Sequence, residues 1–106
     1  MTCGKLAEAV ENILQDETLD GISAIDLAVR YIFSLRLCGI DQDDYPNTVL
    51  NAADDFPLPA LFESAAINLA CLIITGGARY EKLYENTISA YIENVQAEIE
   101  NIKSLN

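Results

Sequence analysis

Apolar residues recur along this chain with helical spacing. Between Lys5 and Leu14 they fall at Leu6, Val10, Ile13 and Leu14, one stripe at i, i+4, i+7 and i+8, while Glu8, Glu11 and Asn12 turn away from it. The polar stretch from Gln15 to Gly21 breaks that pattern. Ser23 then offers an N-cap, with Asp26 three positions on completing a capping-box-like pair, and a second helix is predicted from Ala24 to Leu37 with Gly39 as its stop. Apolar residues cover much of its circumference, which predicts a central position or cover by another subunit.

Residues 38–58 carry the least periodicity. Asp41-Gln42-Asp43-Asp44-Tyr45-Pro46 and Asp54-Asp55-Phe56-Pro57 are both acidic and helix-breaking, and Asn47 to Ala53 between them fits an extended piece or one helical turn. A connection of about twenty residues is long for a small domain, and such loops are usually functional or disordered. Pro59 suits the first turn of a third helix, where its missing N–H costs nothing. That helix runs from Ala60 to Ile74 and ends at Gly76-Gly77. Glu63, Ser64 and Asn68 are its polar positions before Thr75, so it is the expected core helix, with Ala65, Ala66 and Ala70 permitting close approach of a neighbour.

A fourth helix is predicted from Ala78 or Arg79 to Ser104. Ile88, Ile92, Val95, Ile99 and Ile102 form a coiled-coil-like seam along it, flanked by Tyr80, Tyr84 and Tyr91. At 1.5 Å per residue, about 26 residues reach roughly 39 Å, more than the other helices can cover. Part of that seam is therefore expected to meet a partner. Strand signals are nearly absent. The pattern predicts an all-α, four-helix single domain over residues 1–106, with a long acidic loop between helices two and three and a long C-terminal helix.

Composition narrows the function. Asp and Glu number 17 against 6 Lys and Arg, a formal net charge of −11 on 106 residues, so a basic nucleic-acid-binding stripe is excluded. Apolar residues make up 51% of the chain, which separates it from acidic disordered sequences. The chain has no histidine, removing Ser-His-Asp triads, Cys-His dyads and His-ligated zinc. No signal-peptide pattern is seen, and the apolar runs are too short to span a bilayer, so no membrane partner is expected. Cys3, Cys38 and Cys71 include no CxxC and cannot all pair within one chain. They read as free thiols in a reducing compartment, Cys38 and Cys71 in the core and Cys3 exposed.

Candidate chemistry in the loop is weak. Asp41, Asp43 and Asp44 fail as a calcium loop, because Pro46 stands at the turn-glycine position and Ala52 at the twelfth. Paired carboxylates drawn from these residues or from Glu63 show no common cleft, so the expected protein is not an enzyme and needs no cofactor or metal. The negative charge serves either solubility or a surface that repels a passing DNA duplex.

Several segments together resemble a known family. They are the turn Leu37-Cys38-Gly39-Ile40, the loop over residues 41–58 ending in Phe56-Pro57-Leu58-Pro59, the helix holding Asn68-Leu69-Ala70, and the Tyr-rich last helix after a glycine break. Over roughly residues 5 to 102 the order resembles the head-to-tail adaptor proteins (head-completion or packaged-DNA-stabilisation proteins) of tailed bacteriophages, especially the tail accessory factors of short-tailed phages. The resemblance implies an adaptor-like helical bundle and a ring, commonly of twelve copies, between the portal protein and the tail or nozzle proteins. Packaged DNA would pass the lumen without sequence-specific binding. The protein would be made in the host cytoplasm and reside in the virion at the head–tail junction.

Under that reading the interface residues are Asp41, Asp43, Asp44, Tyr45, Asp54, Asp55 and Phe56 in the loop, and Tyr84, Ile88, Ile92, Val95, Ile99 and Ile102 along the last helix. The alternative is a small acidic interaction or regulatory module that dimerises through its C-terminal helix, abolished by charged substitutions at Ile92 and Ile99.

Overall fold

A computed structural model of the chain describes residues 1–37, 40–89 and 104. Among these, the regular elements are the helices α1 (Cys3–Leu14), α2 (Gly21–Ser34), α3 (Glu63–Thr75) and α4 (Ala78–Ile88), with 3-10 turns at Gln42–Asp44 and Ala60–Phe62. The chain is all-helical over the described residues; Thr2 and Asp55 form an isolated antiparallel bridge rather than a strand.

The first helix begins two residues before the predicted Lys5, because the Thr2 hydroxyl accepts the Lys5 N–H at 3.4 Å. Its stripe buries Cys3, Leu6, Ala7 and Val10, leaves Leu14 half-buried and exposes Ile13. The expected cap of α2 is corrected. Asp20, not Ser23, is the N-cap: its Oδ1 accepts the Ser23 N–H at 3.1 Å, and the Ser23 hydroxyl donates to Oδ2 at 2.7 Å. A carboxylate at this end satisfies an orphan amide and complements the helix dipole, so the helix opens at Gly21. Asp26 is thereby released from any capping role and turns inward. A Cβ at Gly21 would lie 2.9 Å from the Ala7 carbonyl oxygen, so only glycine lets α2 start this close to α1.

The second helix stops at Ser34 rather than Leu37, as Arg36 takes a left-handed φ of 61°. Gly39, the expected stop, lies outside the described residues. Pro59 precedes a 3-10 turn that leads into α3, and Gly76 at φ 65° ends that helix with its N–H bonded to Leu72 O at 2.7 Å. A left-handed C-terminal residue is cheapest as glycine.

The expectation of a core third helix holds. α3 packs against α1, α2 and α4 and buries Ala65, Ala66, Leu69, Ala70, Cys71, Leu72 and Ile73. Each fully enclosed Leu stabilises the fold by roughly 2 kcal/mol. The last helix is described as far as Ile88, and the predicted run on to Ser104 falls almost wholly outside the described residues, with Tyr91, Ile92, Val95, Ile99 and Ile102.

Two further expectations change. Cys3 is fully buried rather than exposed. It opens α1 beneath the returning loop, with its N–H bonded to Asp54 O at 2.8 Å. The segment between α2 and α3 is anchored on its own chain. Leu50 and Leu58 are buried, Gly4 N–H bonds Ala52 O at 3.0 Å, and Phe56 N–H bonds Met1 O at 3.0 Å.

Candidate functional site

Helical spacing places Asp26 and Arg30 on one face of α2, four residues apart. Asp26 is buried and receives Arg30 Nε at 3.1 Å on each carboxylate oxygen, while its Oδ1 also accepts the Leu50 N–H at 3.0 Å. Arg30 Nη2 continues across the gap to Thr48 O at 2.6 Å. One helical acid–base pair therefore holds one amide and one carbonyl group of the loop. A turn further on, Phe33 stacks on Tyr45 with ring centroids 4.2 Å apart and planes at 29°, and the Arg30 guanidinium lies 5.7 Å from the Tyr45 centroid. Aromatic and cation–π contacts of this kind add to the area buried.

This arrangement leaves a cleft of about 320 Å³ lined by Arg30, Phe33, Gln42, Tyr45, Pro46 and Asn47. That volume sits at the lower end of the range for small-ligand pockets. Its wall is aromatic and prolyl; Gln42 of the 3-10 turn also lines it, and the residues beside Gln42 in sequence, Asp41, Asp43 and Asp44, are exposed. The Tyr45 hydroxyl is buried without a hydrogen-bond partner. Burial pushes its pKa up to about 12, against the opposing pull of Arg30.

The loop residues expected at an interface divide into two groups. Tyr45 lines the cleft, while Asp41, Asp43 and Asp44 are exposed just before it in sequence. Asp54, Asp55 and Phe56 belong to the anchor on α1: Asp54 Oδ2 accepts the Asn51 N–H at 2.9 Å, and the Asp55 carbonyl lies 3.8 Å from Cys3 Sγ. Asp55 remains exposed, while Asp54 and Phe56 are half-buried. Tyr84 and Ile88, also expected at an interface, are corrected to core residues, fully enclosed within the chain. Their spacing reads equally well as a seam or as the face of α4 packed on α3, and here packing claims it. Ile92, Val95, Ile99 and Ile102 lie outside the described residues.

Arg30, Phe33 and Asp26 were absent from the expected set. The signal for them is an i, i+4 Asp–Arg pair inside an otherwise apolar helix, in a chain with few cations.

The two described thiols, Cys3 and Cys71, sit where the neutral form is favoured over the thiolate. Burial, then the carboxylates of Asp54, Asp26 and Asp55, raises the pKa of Cys3. Burial alone pushes Cys71 up to about 11. Among the described residues, no group of three or more His, Cys, Asp or Glu is placed to hold a metal ion, and no helix is long and apolar enough to cross a membrane.

No protein-family model matches the chain, and neither a curated protein nor a solved structure matches it.

Proposed function

We propose that the chain is a non-enzymatic structural subunit of a ring that joins the portal of a tailed phage to its tail and helps retain packaged DNA. The observation that carries this reading is the order of elements. α2 gives way to a long acidic connection, α3 carries Asn68-Leu69-Ala70 at its centre, and α4 follows a glycine break. That is the order implied by the resemblance to head-to-tail adaptors. The formal net charge of −11 keeps the body negative, and negative walls let a duplex slide past without sticking.

Size-exclusion chromatography with light scattering on the purified chain, alone and with a portal protein, tests it. The expected result is a discrete ring, formed alone or on the portal, whose copy number is then counted by electron microscopy. A chain that stays monomeric at high concentration and never joins the portal sinks the reading. A plain dimer abolished by Ile92→Asp or Ile99→Asp would replace it with the interaction module.

A further inference from the structure

The cleft beside the 3-10 turn has a chemical complement elsewhere on the same chain. Its lining includes Phe33, Tyr45, Pro46 and Gln42, and the exposed Asp41, Asp43 and Asp44 are the neighbours of Gln42 in sequence. The positive charge of Arg30 is matched by Asp26 at 3.1 Å, so the exposed acids set the sign of the site. The first turns of α4 present the opposite character. Arg79, Lys82 and Leu83 are all exposed, and their i, i+3, i+4 spacing puts them on one helix face. Leu83 is 37% exposed. Arg79 lies over the ring of its neighbour Tyr80, 5.9 Å from the centroid. Among the described residues neither cation has an ion pair within the chain. Two of only six cations thus stand one turn apart around an exposed leucine.

The loop precedes α3 and the Arg79–Leu83 face follows it, and among the described residues neither Arg79 nor Lys82 forms an ion pair with the loop acids. A contact between them joins two copies through different patches. Such a contact is heterologous, and it generates a ring when the rotation closes.

We propose that the Arg79–Lys82–Leu83 face of one copy seats in the Phe33–Tyr45 cleft of the next, Leu83 filling the cleft and the two cations meeting Asp41, Asp43 and Asp44. The contact rests on the ring reading and names the surfaces that build it. It also gives the long acidic loop a use within the assembly: a mostly negative chain attracts its own copies only where its few cations are concentrated.

Charge reversal on the full chain tests it. Arg79→Glu with Lys82→Glu, and separately Asp43→Lys with Asp44→Lys, should each raise the concentration for half-assembly at least tenfold, read by light scattering. Combining all four reversals should bring it back to within about threefold of the wild type, because the opposite charges face each other again. Circular dichroism checks folding. A variant that loses helix is replaced by the neutral Arg79→Gln with Lys82→Gln or Asp43→Asn with Asp44→Asn, expected to act in the same direction. Wild-type-like assembly in both reversals overturns this contact and leaves the ring reading standing. Loss in both without recovery in the combination overturns the pairing as well. A wild-type chain that neither self-associates nor joins the portal overturns the ring reading and this contact together.

Discussion

The carboxylate of Asp26 on α2 accepts the backbone N–H of Leu50, 24 residues further along, at 3.0 Å. Through that bond and the Arg30 bridge to Thr48, the loop takes a defined path over the end of α2. Removing the carboxylate leaves a buried amide and a guanidinium without their partner. Asp26→Ala should therefore cost about 2 kcal/mol, the upper values for broken buried pairs being reduced because Arg30 is partly in water. Asp26→Asn keeps an acceptor for Leu50 and should lose less. Urea denaturation reads both, as a lower midpoint at unchanged slope. A loss under about 0.5 kcal/mol for the alanine variant would mean that Leu50 and Leu58 hold the loop by burial alone.

Gly21 opens α2 where a Cβ would sit 2.9 Å from Ala7 O and 3.2 Å from the Ala7 side chain. Alanine is ordinarily the better helix former by about 1 kcal/mol. Here the clash is with backbone and cannot be relieved by a rotamer change. Gly21→Ala should therefore destabilise the protein by about 1 to 3 kcal/mol, the usual range for overpacking. A thermal melt that rises instead would show that α1 and α2 can separate at no cost.

The helices were legible because each buries a stripe with a period near 3.6, and α3 was legible as the core because so little of it is polar. The loop was not. Its burial depends on two isolated leucines, Leu50 and Leu58, and on backbone bonds to residues 1–4, neither of which leaves a periodic mark. The cap of α2 was misplaced because Ser23 and Asp20 are both good caps, and the choice depends on how closely Gly21 approaches α1. The heptad pattern puts Ile88 in a seam and Tyr84 on its flank, and it does not distinguish a partner helix from the helix α3 of the same chain. The acids next to Gln42 were visible in sequence. The aromatic wall was not, because Phe33 and Tyr45 come from different elements and meet only in the fold.

Cys71 sets an alkaline limit on stability. Its native pKa of about 11 lies above the ordinary thiol value of 9.0, so the unfolded chain loses its proton first as pH rises. The stability from keeping this thiol neutral is complete below about 9 and is lost as pH climbs through about 11, in total of order 2 kcal/mol. Cys71→Ala should cost about 1 kcal/mol at every pH for the missing sulfur, yet flatten the decline between those values. Parallel urea titrations at pH 7 and in the alkaline window separate the two effects. An unchanged slope in the variant would show that Cys71 does not set the limit.

Tyr45 carries both the stack on Phe33 and a hydroxyl with no partner. These features oppose each other energetically, and two substitutions separate them. Tyr45→Phe keeps the ring and removes a buried polar group that gains nothing for its lost hydration, so stability should rise by up to about 1 kcal/mol. Tyr45→Ala removes the ring as well and should cost about 3 kcal/mol, opening the cleft towards Arg30. The phenol also titrates late, near pH 12, so the unfolded state ionises first above its ordinary value of 10.0 and Tyr45 weakens the fold there. The phenylalanine variant should therefore gain most at high pH. Urea midpoints at pH 7 and near pH 11 measure both effects, and a Tyr45→Phe protein less stable than wild type at either pH would show that the hydroxyl is satisfied after all.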